Sequence, residues 1–349
     1  MWAKILAAFG TPILAALLVT GVLIATHHTA VPKLALPSVP SSAQVATSAS
    51  SAKPIPPDAC LGKVPSHFAG IAVKKRIEQN IGSFATATGH APQIVEFYNP
   101  FRKEFAAHEA LRVVDSGQIP LVQLNLYRVT SRQIADGVYD HHLKKYAQEV
   151  KDFGCVIILS LGHEMNGWWY PWGSHGGTTP AEFIAAWRHI HDVFANQGAS
   201  NVIWSWDPTH QYKSPSAGKI ASPASEWYPG NDYVDWVGID GYLNLDINGH
   251  PQNFKEIFGF QLNDIRHIAP HKLIYLAETA VGPGPTAQKQ IANLFAGLSG
   301  YHLAGLIWFD YLGRLDQTGK HKDFRLQQRA GDAALYNKLL SRFLRQGAL

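Results

Sequence analysis

Two carboxylates close apolar runs in this chain, and their chemistry gives the first handle on it. Glu164 stands in Cys155–Trp172, CVIILSLGHEMNGWWYPW, and Glu278 in Leu273–Gly282, LIYLAETAVG. Short apolar runs bounded by Gly are what strands buried on both faces look like, because a parallel sheet covered by helices cannot use polar alternation. Each run therefore delivers an acid at its end. Hydrolysis of a glycoside needs one carboxylic acid to protonate the leaving oxygen and one carboxylate to attack the anomeric carbon or activate water, and Glu164 and Glu278 can fill those roles. A separation of about 5–5.5 Å would mean retention and about 6.5–9.5 Å inversion. The ten Trp and thirteen Tyr fit such a site, since several fall in loops where burial does not account for them and flat sugar faces would.

Other chemistries lack their residues. His163-Glu164 begins like a zinc protease signature, but position 167, where the second His belongs, is Gly. The pairs His27-His28 and His141-His142 lack helical ligand spacing. No Gly-x-Ser-x-Gly elbow occurs. Gly282-Pro283-Gly284-Pro285 follows a strand and opens a helix like a dinucleotide loop, yet Pro285 removes an amide that a pyrophosphate would use, so it reads as a rigid loop. Neither metal nor cofactor is expected. The formal charge of +4 over 349 residues is small and no long basic run is present, so nucleic acid is not expected as a partner.

The elements that would position the acids repeat one unit, a short strand followed by an amphipathic helix. Strands are read at His67–Val73, Ile94–Asn99, Ile119–Leu126, Cys155–Gly162, Asn201–Asp207, Val234–Tyr242, Leu273–Glu278 and Leu303–Asp310. Between them lie helical patterns such as Pro180–Gln197, which opens with a capping box of Thr179 and Glu182. Pro208–Gly230 reads as a long loop. The count and size predict an α/β protein, a (β/α)8 TIM barrel, over residues 58–349, with a doubly wound open sheet as the alternative. In a barrel the chemistry sits beyond the C-terminal strand ends, where Asn99, Tyr127, Glu164, Asp207, Asp240, Tyr242, Glu278, Trp308 and Asp310 fall.

Ahead of the barrel, residues 1–30 carry an apolar stretch, Ile5–Thr26, long enough to cross a bilayer, and read as a signal peptide or membrane anchor. Residues 31–57 are rich in Pro, Ser and Ala and read as a disordered linker. The protein is thus expected outside the cytoplasm, secreted or held at the membrane by its N-terminal segment, as a monomer acting on a polysaccharide. Cys60 and Cys155 could pair in an oxidising compartment, but the apolar strand around Cys155 favours a free buried thiol.

At this point a resemblance becomes specific. His163-Glu164-Met165-Asn166-Gly167 with Trp169 and Trp172 resembles the fourth-strand signature of glycoside hydrolase family 26, and NVIWSWDP (201–208), YPGNDYVDWVGIDGY (228–242) and Glu278-Thr279 resemble its fifth, sixth and seventh strands. The resemblance implies a retaining endo-β-glycanase acting on β-mannan or mixed-linkage β-1,3-1,4-glucan, with Glu164 as general acid and then base and Glu278 as nucleophile. It also implies that His163 and Tyr242 support the pair, that Trp169 and Trp308 line sugar subsites, and, with Asn166 and Trp172, that these six residues meet the substrate. Members of the family carry an Arg shortly before the His-Glu pair, where this chain has Ser160-Leu161-Gly162. For His163 an outward-packing role is the alternative, since successive strand residues face opposite sides. Two other readings stand beside the hydrolase: a catalytically silent barrel that holds polysaccharide at the cell surface, and a hydrolase of the producer's own exopolysaccharide.

Overall fold

The computed structural model describes residues 60, 64–211, 213–214, 218–243, 250–315 and 321–347. The expected anchor and linker lie outside them. Eight parallel strands close a barrel: β1 (Phe68–Ala72), β2 (Ile94–Pro100), β3 (Ile119–Asn125), β4 (Ile157–Leu161), β5 (Val202–Trp206), β6 (Trp236–Leu243), β7 (Leu273–Val281) and β8 (Gly305–Phe309). Each strand pairs with its sequence neighbours, and β8 closes on β1. The open-sheet alternative is therefore excluded.

Helices cover the outside of the strands. They are α1 (Ile77–Thr88), α2 (Ala107–Asp115), α3 (Ser131–Ala135), α4 (Asp140–Phe153), α5 (Pro180–Gln197), α6 (Phe254–Ile268), α7 (Ala287–Gly300) and α8 (Ala330–Gln346). The capping box anticipated for α5 is formed, with Glu182 N donating to Thr179 Oγ1 at 3.2 Å and Thr179 N to Glu182 Oε2 at 3.0 Å. Such a box satisfies two N-terminal amides that the helix itself cannot. Pro180 at the first turn gives up no hydrogen bond there, because that amide has no helical partner. Between β5 and β6 the described chain forms no α-helix, only a two-residue ribbon and two short 3-10 turns, in keeping with the loop read there.

Burial divides the barrel interior in two. Its lower half is apolar, filled by Phe68, Ile94, Ile119, Leu121, Ile158, Tyr275, Ala277 and Ile307. Its upper half, toward the C-terminal strand ends, is polar, because alternation along β2, β5 and β6 turns Glu96 and Tyr98, Ser205 and Asp207, and Asp240 and Tyr242 inward. A larger apolar layer joins the outer strand faces to the helices.

The free-thiol expectation for Cys155 is corrected. Cys60 and Cys155 form a disulfide with Cα atoms 5.2 Å apart, which fastens the segment entering the barrel to the start of β4. The two cysteines are 95 residues apart in sequence and meet only once the strands close. A cross-link spanning so long a loop restricts the unfolded chain strongly, by about 4–5 kcal/mol in the chain-entropy account. Cys60→Ser/Cys155→Ser is expected to fold but to melt several degrees lower in a calorimetric scan without reductant, with reductant lowering the wild type to the same temperature.

Candidate active site

The inner wall of the upper barrel is built by strand alternation, and β7 is its exception. Across β6 and β7, Gly238 pairs with Tyr275 but Asp240 with Glu278, so two steps on β6 oppose three on β7. On the other flank Leu306 pairs with Leu276 and Trp308 with Thr279, the same one-residue excess. This bulge at Ala277 turns Glu278 onto the inward face that Tyr275 occupies. There Tyr242 Oη donates to Glu278 Oε2 at 2.7 Å and Tyr98 Oη donates to Oε1. Two hydroxyl donors fix the carboxylate plane.

Glu164 reaches the same space from the opposite wall. Its backbone takes the left-handed conformation, φ 54°, which a residue with a side chain adopts at a cost of about 1 kcal/mol or more. Its amide still donates to Asp207 O at 2.8 Å, extending the pairing of β4 with β5 past the strand end. Trp169 Nε1 donates to Glu164 Oε2 at 2.5 Å. The ring of Trp169 lies over Gly167, where a Cβ would meet it at 2.6 Å, so the turn requires Gly. The side chain of Glu164 keeps partial access to solvent. Burial in the cleft, and next the charge of Glu278, raise its pKa to about 8 against the pull of Trp169 and Thr209. One carboxyl is thus biased to hold its proton while its neighbour is held in place by two hydroxyl donors.

Beneath the pair lie more acids. Asp207 is fully buried, accepting from Ser205 Oγ at 2.6 Å and Gln123 Nε2 at 3.1 Å. Only Gly fits at position 238, where a Cβ would lie 2.2 Å from Asp207 Oδ1. Glu96 and Asp240 are fully buried too, and among the described residues neither Asp240 carboxylate oxygen has a hydrogen-bond partner. Burial first, and the neighbouring acids second, push both carboxyls well above the usual carboxylate range. Among the described residues no Lys or Arg is buried, so no cation offsets this cluster. Ser160 faces inward at the strand that precedes the His-Glu pair, and the site does without a guanidinium there.

The remaining sequence candidates divide between site and scaffold. His163 is buried among aromatic rings, with centroids at 4.8 Å from Tyr170, 5.7 Å from Trp172 and 5.9 Å from Tyr98, which keeps it beside the acids rather than against the helices. Burial lowers its pKa, so it is neutral near pH 7. Trp169 and Tyr242 reach the cleft. Three expected substrate contacts do not. Asn166 is buried, and its amide bridges the β4 and β5 loops by donating to Thr209 O at 3.0 Å and Ser222 O at 2.9 Å and accepting from Thr209 N at 2.8 Å. Trp172 is sealed beneath Tyr170, stacked at 4.4 Å, with its Nε1 donating to His163 O at 2.8 Å. Trp308 points outward, because Ile307 faces in; it donates to Phe324 O at 2.8 Å and packs edge-on against Tyr336 of α8. Asn99 and Asp310 likewise hold loops, bonding Ala106 N and Leu326 N respectively.

Tyr98 and Glu96 escaped the sequence reading. Their signal was a Glu two residues before a Tyr inside the apolar run Ile94–Tyr98, a pair that alternation puts on one face.

The buried acids predict how stability responds to pH. Glu164, Glu96, Asp207 and Asp240 all have folded pKa values above their unfolded ones. Folded protein then binds more protons than unfolded protein above the ordinary carboxylate range, so stability falls as pH rises, through about 8 for Glu164. Thermal melts are expected to drop by several degrees between about pH 5.5 and 8, and Asp240→Asn should flatten that slope.

Comparison with known proteins was consistent with this geometry. The model of glycosyl hydrolase family 26 matches residues 93–294. Endoglucanase H of Acetivibrio thermocellus is 27% identical over 274 residues, covering 75% of this chain and 29% of that protein. A mannan endo-1,4-beta-mannosidase of Bacillus subtilis is 27% identical over 181 residues, 47% of this chain and 44% of that one. This chain therefore spans less than half the length of either relative. The structure of a Cellulomonas fimi endo-beta-1,4-mannanase double mutant superposes with a TM-score of 0.57 at 17% identity, covering 78% of this chain and 71% of that one, which shows a shared fold. Since the family model spans more than half of the chain and runs through the strand that carries each acid, the chain belongs to glycosyl hydrolase family 26.

Proposed function

We propose that this protein is an exported endo-β-glycanase that hydrolyses a β-linked polysaccharide, mixed-linkage β-1,3-1,4-glucan or β-mannan, with retention. The observation that carries the reading is the division of labour between Glu278, braced by two hydroxyl donors, and Glu164, whose pKa is raised to about 8. In the first step the Glu278 carboxylate bonds to the anomeric carbon as the glycosidic C–O bond breaks, and Glu164 gives its proton to the leaving oxygen. Forming the glycosyl ester removes the negative charge of Glu278. That charge is the second-largest cause raising Glu164, so its pKa falls and it becomes the base that takes a proton from water. Water then adds to the anomeric carbon and Glu278 leaves as carboxylate. Trp169 and Tyr170, half exposed at the cleft, offer rings to stack on sugar faces. The relatives' names support the substrate classes, and the disulfide supports export, since such bonds persist in oxidising compartments.

Reducing-end release by the protein on barley β-glucan, mannan, galactomannan, β-1,3-xylan and cellulose tests this. Turnover on one β-glycan is expected, and its absence on all of them from folded protein would leave the silent polysaccharide-binding barrel as the better account. Glu278→Ala should abolish release while keeping affinity for the polymer. Glu164→Ala should cost about 10²–10⁴-fold on the polymer and far less on aryl glycosides whose leaving group needs no proton. The alkaline limb of the wild-type profile should fall near pH 8, because Glu164 must be protonated to act. Tyr98→Phe, which removes one of the two donors to Glu278, should lower kcat/KM by about 10- to 100-fold with little change in melting temperature.

A further inference from the structure

Beside the acids, the same face of the barrel carries a feature of opposite charge. The loops after β1 and β2, together with α2, line an open cavity of about 460 Å³, within the range of about 300–1,000 Å³ for small-molecule sites. Lys74, Lys75, Arg76, Lys103 and Arg112 line it, and so does Tyr98, whose hydroxyl holds Glu278. Arg112 is paired with Glu78, and Glu104 of the same wall is paired with Lys145. Among the described residues no carboxylate lies within ion-pair distance of Lys74, Lys75, Arg76 or Lys103. Glu109 is the one other acid of the wall. Helix α1 also begins here. Its cap position is Arg76, which has no side-chain bond to the first-turn amides, and the one acid of its first turn is Glu78, the partner of Arg112.

We propose that this cavity binds an anionic substituent, a carboxylate or a sulfate ester, on a sugar of the polysaccharide close to the bond being cleaved. The inference rests on the endo-glycanase reading and narrows its substrate to an acidic β-glycan. The argument is the juxtaposition of charges. A polyanion charged at every repeat, such as a nucleic acid, would lay phosphates over Glu164, Glu278 and the acids beneath them, where like charges repel. A glycan charged on some sugars sets a neutral ring over the acids and its anion among the cations next door. Tyr98 lines the cavity while its hydroxyl holds Glu278, so a chain with one ring over the acids would carry a neighbouring sugar toward the cations.

The test compares Lys74→Ser/Lys75→Ser/Lys103→Ser with wild type on carboxymethyl β-glucan and carboxymethyl mannan and on their uncharged parents. Arg76 is left in place because its left-handed backbone, φ 54°, starts α1. A second arm titrates C6-oxidised cello-oligosaccharides into Glu278→Ala protein with and without the three substitutions. Expected are a kcat/KM for the charged polymer about tenfold lower in the variant, an unchanged value for the neutral parent, and an advantage for the charged polymer that shrinks as salt is raised. Equal loss on charged and neutral polymers, or no loss on either, overturns the anion site and leaves the hydrolase standing. Binding of the oxidised oligosaccharide that the substitutions abolish, with no turnover of any polymer, upholds the site and overturns the hydrolase. Binding of double-stranded DNA or of phosphatidylglycerol vesicles as tightly as the oxidised oligosaccharide overturns the assignment to a glycan.

Discussion

A strictly alternating strand cannot aim both Tyr275 and Glu278 at the barrel axis, because residues three apart face opposite sides of a sheet. The extra residue in β7 removes that conflict, and the arrangement of the upper barrel follows from it. Below the bulge Tyr275 belongs to the apolar plug and to the bonds that hold Asp207, donating or accepting at Ser205 Oγ at 2.8 Å. Above it Glu278 meets two tyrosine hydroxyls from β2 and β6, on either side of the barrel. Without the bulge the carboxylate would face the helix layer, and Tyr98 and Tyr242 would point at an empty axis.

Packing several carboxyls into one barrel mouth is costly. Each loses hydration and neighbouring acids raise one another's pKa, and among the described residues no buried cation answers them. The fold tolerates this because the groups need not all ionise. Asp207 has serine and glutamine donors, Glu278 has tyrosines, and burial pushes Glu96, Asp207 and Asp240 toward their neutral form. The same field raises the pKa of Glu164 to about 8. The raised pKa of Glu164 and the reduced stability at alkaline pH thus have one electrostatic origin. The uncompensated cations lie on the neighbouring loops instead, so the face carries both signs of charge a short distance apart.

Much of the architecture was legible in the chain. Eight apolar runs separated by helical patterns, with chemistry-bearing residues at their C-terminal ends, are what a barrel with both faces buried must look like. The capping box of α5 and the long loop after β5 could be read from local residue types, because local hydrogen bonds and turn preferences decide them. The acids Glu164 and Glu278 stood out because charge in an apolar run is expensive and needs a reason.

What the sequence by itself determined, then, was the fold and the family, and it singled out the two acids, since these follow from period, composition and short contiguous strings. Tertiary structure decided which side chains share a space. Trp308 and Trp172 are aromatic residues at the right place in sequence, yet inward alternation at Ile307 sends one to α8, and stacking under Tyr170 seals the other. Asn166 sits in the signature string but bonds a loop about 43 residues on. Cys60 and Cys155, and likewise Lys74 and Lys103, come together only through the closing of strands distant in sequence. Local patterns fix the direction of a chain, but a one-residue bulge or the return of a strand fixes which face and which neighbour a side chain receives, and that information is not local.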